Sequence, residues 1–288
     1  MKSLHWLLLA AGCLFARAAI AQETTPSQQF EAIKKESTRS TSAPKPDMTD
    51  EERIQFVGES YRRNFDAGVK YLALAEKYPN DPIAFDALIQ ASWQVNTMPW
   101  TVKVAGQDLS SERAIAIIIK SHVTSEKLAP LCERVSYGYR KEYEALLRAV
   151  AKSSPHKSVR AAAIMGLAQY LYNRSQRVEL LRGYPALAKD FDELYGAEYM
   201  ADLYRRKPTD AEKEVTSLLQ TALPQLGNEL LRNGDTVAQA ARSLLREIRY
   251  LSVGKPAQEI VGVDQDGVSF KLSDYRGKVV LLDFFSWV

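Results

Sequence analysis

From Thr49 to about Ser252 the apolar residues recur at three- and four-residue steps, and Pro or Gly marks nearly every joint between one such run and the next. A chain of this pattern folds as helix after helix, each hiding one stripe against its neighbours. Thr49-Asp50-Glu51-Glu52 opens the first helix as a capping box, in which the threonine oxygen and the glutamate carboxylate satisfy free amides reciprocally. That helix is expected to reach about Tyr78. Asp81-Pro82 then supplies an N-cap and a proline at the first helical position, and the next helix runs through Ala87, Leu88 and Trp93 until Met98-Pro99-Trp100 breaks it.

The remaining helices follow the same logic. Ser111 to His122, with Ile115, Ile117, Ile118 and Ile119, is too apolar for a surface helix and belongs inside. Tyr139, Tyr143, Leu146, Leu147 and Val150 are expected on one helix face, ended by Ser154-Pro155. Further helices are predicted over Pro155 to Asn173 and Leu187 to Arg205, with one opened by the capping box Thr209-Asp210-Ala211-Glu212. Thr236 opens the last, which carries Val237, Leu244, Leu245, Ile248 and Leu251. About eight helices with short joints predict a mainly α fold, either a stack of helical hairpins or a bundle. A stack would offer a concave surface to a protein partner, whereas in a bundle the tyrosine and leucine stripes are simply core.

"AEKYPNDPIAFDAL" resembles a tetratricopeptide-type turn, but no single period fits the other joints, so the resemblance is to a degenerate helical repeat.

The ends of the chain differ from this middle. Met1-Lys2, the apolar stretch Leu4 to Phe15, and Ala19-Ile20-Ala21 before Gln22 form the pattern of a cleaved export leader over residues 1–21. The mature chain is then expected in the periplasm or outside the cell. A lipid-modified Cys13 is the weaker alternative, because it would leave the better cleavage site unused. Residues 22–47, rich in Ser, Thr, Pro and Lys, are expected to be a flexible linker with at most a short helix around Gln28 to Lys35. The helical domain follows over 48–252, and a segment of other character over 253–288.

Charge and chemistry exclude several classes. A formal charge of +3, two units of which sit at Lys2 and Arg17 in the leader, asks for no nucleic acid. Loss of the leader leaves Cys132 as the single thiol, so no intramolecular disulfide is available. Its surroundings, Leu128-Ala129-Pro130-Leu131, mark it as a small buried hydrophobe and not a reactive group. His122 and His156 have no ligand partner at metal spacing, and neither a phosphate loop nor a Ser/His/Asp cluster stands out. No metal or cofactor is expected. Asn173-Arg174-Ser175 fits a glycosylation acceptor, which chance explains adequately.

After Gly254-Lys255-Pro256 the helical period stops. Glu259 to Val263 and Val268 to Leu272 are β-prone runs joined by Asp264-Gln265-Asp266-Gly267, the pattern of a hairpin whose glycine takes a positive φ. Ser273 to Gly277 is a turn. From Lys278 the run Val279-Val280-Leu281-Leu282 is apolar on both faces, as in the middle strand of a covered sheet.

This stretch, "VGKPAQEIVGVDQDGVSFKLSDYRGKVVLLDFF", resembles the opening of the redoxins, the thioredoxin-fold superfamily of thiol-disulfide oxidoreductases and thiol peroxidases. The resemblance covers about residues 252–288. It is similar also to exported bacterial proteins in which a long helical segment precedes a redoxin domain. The resemblance implies that a hairpin and one central strand begin a thioredoxin fold. It further implies a Cys-x-x-Cys at the start of the following helix, where the helix N-terminus stabilises the attacking thiolate. Asp283 then matches a buried carboxylate that helps to move the proton, and Trp287 the tryptophan before the first cysteine. Val288 stands where that cysteine would be, so the given residues are expected not to catalyse thiol-disulfide exchange. Left without neighbours, the strand 278–288 is expected to pack on the helices or to promote self-association.

Overall fold

The computed structural model describes residues 24–38, 47–93, 110–252 and 255–283, so the leader, the 98–100 break and Trp287 lie outside the described residues. The fold is mainly helical, with a small two-stranded antiparallel sheet near the C-terminus. Its helices are α1 (Pro26–Ser37), α2 (Asp50–Lys77), α3 (Pro82–Trp93), α4 (Ser110–Ser121), α5 (Ala129–Val135) and α6 (Glu142–Ser153). They continue as α7 (Lys157–Gly183), α8 (Pro185–Tyr195), α9 (Ala197–Arg205), α10 (Pro208–Leu226) and α11 (Val237–Arg246).

The local signals act as read at three helix starts. Thr49 and Glu52 form the capping box of α2, Asp81 Oδ1 accepts the Ile83 amide at 2.9 Å ahead of α3, and Thr236 with Gln239 caps α11. Packing follows chain order at first, α1 on α2, α2 on α3 and α3 on α4, and then gathers around α7, which packs with α5, α6, α10 and α11. One apolar core runs through these elements. Tyr71, Leu88, Ile115, Ile118, Leu131, Tyr143, Leu146, Leu147 and Leu171 lie within it, each 2% exposed or less. Burial of each such side chain contributes about 1.5–3 kcal/mol.

The short helix expected around Gln28 to Lys35 forms as α1 over residues 26–37, started by a Thr25–Gln28 capping box, and Phe30 is buried against the Tyr71 ring at 5.1 Å. Several other expectations are corrected. The helix predicted to end at Asn173 continues ten residues to Gly183. Asn173 Nδ2 donates to the Ser136 carbonyl at the end of α5 at 3.2 Å and Ser175 Oγ to the Tyr172 carbonyl of its own helix at 2.7 Å, so both polar side chains are satisfied without ending the helix. Leu187 to Arg205 is two helices, parted by Gly196 at φ +82°, a conformation open to glycine at no steric cost. Thr209 makes no cap because Pro208 takes the first helical position and moves the start of α10 forward, with Lys207 as N-cap. Tyr139 precedes α6 instead of joining its face, and Leu251 is exposed.

The C-terminal hairpin forms as predicted. β1 (Val261–Val263) pairs with β2 (Ser269–Lys271) in the register Val261 to Lys271, Gly262 to Phe270 and Val263 to Ser269. Asp264 organises its turn: Oδ1 accepts the amides of Asp266 (3.0 Å) and Val268 (2.8 Å), and Gly267 has φ +80°. The strand expected from Lys278 is absent among the described residues. Residues 278–283 pair with no other strand, because no neighbour is present to accept their ladder of hydrogen bonds. The apolar side chains of Val279 and Leu281 are 103% and 92% exposed, so these two pack on nothing.

Candidate functional site

The residues singled out in the sequence do not converge. Asp283 is exposed at the end of the described C-terminal segment, far in chain and character from any thiol, and Trp287 lies outside the described residues. Cys132, on α5, is completely buried. Burial, followed by the charge of Glu133, pushes its thiol up to about 12, against a backbone bond that lowers it. The thiolate needed for attack on a disulfide is therefore disfavoured by the fold itself. His122 lies against the Phe85 ring at 4.8 Å, and burial lowers its pKa. His156 is the N-cap of α7 without a side-chain cap bond. Among the described residues no three His, Cys, Asp or Glu side chains are placed to hold a metal ion.

What the structure does assemble is a cluster of rings and guanidinium groups where α8 and α9 meet the second half of α7. The ring of Tyr139 stacks on Tyr195 at 5.8 Å, Phe191 packs on Tyr195 at 5.4 Å, and Tyr195 on Tyr199 at 4.7 Å. Arg177 spreads its guanidinium over the Tyr139 ring at 3.9 Å and donates from Nη1 to the Tyr199 hydroxyl at 3.2 Å. One turn earlier on α7, Arg174 Nη2 donates to both Asp202 Oδ2 (2.6 Å) and the Asp202 carbonyl (2.7 Å). The Arg174 side chain is 8% exposed, so this pair is largely removed from water.

Burial raises the pKa values of Tyr195 and Tyr199, which therefore stay neutral at physiological pH. The Tyr170 phenol is pushed up to about 12 by burial and donates to the Arg140 carbonyl at 2.9 Å. The cluster offers cations, ring faces and phenolic hydroxyls, with no nucleophile and no general base poised near neutrality. Its chemistry is that of holding surfaces together. The i, i+4 spacing of Phe191 and Tyr195 on α8 was a readable signal for part of it, and Tyr199 lies beyond the Gly196 break. The addition of Tyr139 and Arg177 depends on tertiary packing and had no sequence signal.

A second surface is the C-terminal segment. Val261, Val263 and Val268 of the hairpin region are exposed, as are Val279 and Leu281 beyond it, and both outer edges of the two-stranded sheet are unpaired among the described residues. No helix among the described residues is long and apolar enough to cross a membrane. No family model, curated protein or solved structure matches the chain.

Proposed function

We propose that the chain is an exported protein of redoxin lineage, in which a helical domain precedes the opening of a thioredoxin-like domain serving thiol-disulfide exchange or antioxidant reduction. One observation carries the reading. The residues that resemble a redoxin opening fold into a β-hairpin joined at the expected Asp264–Gly267 turn, followed by a short 3₁₀ turn over Leu272–Tyr275 and a glycine at φ +85°, Gly277. Such an opening supports the lineage because a hairpin and a turn stand directly before the apolar run that begins after Lys278, the order in which a redoxin opening leads into its central strand.

The 288 residues contain Cys13 and Cys132 and no Cys-x-x-Cys. Cys132 is sealed in the core, so turnover is assigned to no residue of this sequence. Two experiments test the reading. The coding sequence downstream of codon 288 should encode a Cys-x-x-Cys within a few codons, and clear non-coding sequence there would count against it. Purified residues 22–288 should fail to reduce insulin disulfides or consume peroxide, and turnover lost on Cys132→Ser would overturn the assignment.

A second reading, a helical scaffold that binds protein in the cell envelope without catalysis, is favoured by the exposed apolar residues of the C-terminal segment. Capture of the same partner from a native periplasmic extract by the full chain, but not by a chain lacking residues 252–288, would support it.

A further inference from the structure

Helix α7 serves two cores. Its first half, from Val159 to Tyr172, belongs to the main apolar core, whereas Val178 and Leu181 join Met200 and Leu203 in a separate small one, against which Leu187, Ala188, Phe191, Tyr199 and Tyr204 pack. Between the two halves the helix carries Asn173, Arg174 and Ser175, each hydrogen-bonded, so a polar belt divides the apolar surfaces. The chief packing partners of α8 and α9 are each other and α7.

Both ends of the α8–α9 segment are breaks. Tyr184 leaves helical geometry at φ −130°, ψ 83° and is followed by Pro185, and Arg206 at φ −91°, ψ 128° precedes Lys207 and Pro208. The chain is held again immediately afterwards: Arg206 Nη2 pairs with Glu144 at 3.1 Å and Nη1 with Glu214 at 3.5 Å, tying that end to α6 and α10. The joints can therefore turn while their far sides stay fixed.

We propose that α8–α9 is a latched flap, which swings from the second half of α7 as one unit while the main core stays closed, with Arg174–Asp202 as its buried latch. The supporting contacts are few. Arg177 reaches Tyr199 and Tyr139, and Lys141 reaches Glu198 at 3.0 Å in an exposed pair that contributes little. A segment held to α7 by one small shared core and one buried ion pair opens at lower free energy than the body it rests on. Opening uncovers Tyr139, Phe191, Tyr195 and Tyr199 together, an aromatic surface that the closed form keeps against itself.

Hydrogen exchange followed by mass spectrometry on the full chain tests this. In the wild-type protein, amides of 185–205 should exchange at least about tenfold faster than those of 143–150 and 159–172. Asp202→Asn should speed exchange in 185–205 by about a further tenfold and leave 143–150 unchanged, because it removes a charged hydrogen bond from the closed form alone. Tyr199→Phe, a milder change that removes only the hydroxyl bonded by Arg177, should act in the same direction on the same amides. Equal protection of 185–205 and α6 in the wild-type chain, or variants that speed exchange everywhere alike, would overturn the proposal.

Discussion

Gly166 of α7 faces the backbone carbonyl of Cys132 on α5 so closely that a Cβ at position 166 would stand 2.5 Å from that oxygen and 3.0 Å from a Leu147 methyl. The two helices meet backbone to backbone at this point, and the oxygen belongs to a helix that cannot step aside cheaply. Gly166→Ala should lower stability by about 1–3 kcal/mol through overpacking, despite the better helix propensity of alanine. Gly183→Ala, at a helical position with nothing within 4 Å of the added carbon, provides the control and should be neutral or slightly stabilising. Urea denaturation midpoints of the two variants check both signs.

The same packing makes Cys132 inert. Its thiol is fully buried and held protonated up to about 12, so a maleimide or an aromatic disulfide should label the native protein only through unfolding. Labelling rates should rise steeply across the denaturation transition and, in native buffer, stay far below those of a free thiol at every pH between 7 and 9. A native thiol that reacts at the rate of a free cysteine would contradict the burial.

Three helices are tied at a single carbonyl. Tyr143 Oη of α6 and Ser111 Oγ of α4 both donate to the Ser92 carbonyl of α3, at 3.0 and 2.7 Å, inside the core. Tyr143→Phe and Ser111→Ala should each cost about 1 kcal/mol, while the double variant should cost more than their sum, because only then is the buried oxygen left without these donors. A double-mutant cycle by chemical denaturation measures that excess.

Helix starts were legible because a cap is a property of four consecutive residues, as at Thr49–Glu52 and Thr236–Gln239. The hairpin was legible for the same reason, its turn being written in Asp264 and Gly267. Thr209 carried an equally good box that failed because Pro208 claimed the helix start, a competition between two local signals. Tyr139 could not be placed, since its partners Arg177, Phe191 and Tyr195 are brought to it only by the fold. The strand at Lys278 illustrates a different limit: composition specifies that a segment is suited to a sheet, but pairing needs a second strand. The burial of Cys132 was readable from its apolar neighbours, whereas the division of α7 between two cores was not, because Asn173 and Ser175 looked like an ending.

The exposed C-terminal run predicts association. Val279 and Leu281 stand free of the helices, and the two-stranded sheet beside them has open edges. Sedimentation velocity over a tenfold or wider concentration range should show the full chain moving toward larger species. Val279→Lys with Leu281→Lys should restore a single monomeric boundary without changing the helical circular dichroism. A monodisperse wild-type chain at the highest concentration would remove this prediction.

The latch has a pH signature whose direction follows from its surroundings. Burial pushes the Asp202 carboxyl up, but the bond and charge of Arg174 outweigh that effect, with Arg205 on the same helix and Lys141 from the loop before α6 acting in the same sense. The result lies below the ordinary 3.8. A carboxylate with a lowered folded pKa contributes stability that is fully present above its unfolded value and is lost as pH falls through the folded one. The faster exchange of 185–205 in Asp202→Asn relative to wild type should therefore be constant between pH 5 and 8, after correction for the intrinsic rate. In acid the difference should shrink below about pH 3.8, where the Asp202 carboxylate of the open form begins to take up its proton while that of the closed form still resists it. A difference that grew on acidification would mean that Asp202 is bound more strongly as the neutral acid, and Arg174 would then not be its dominant partner.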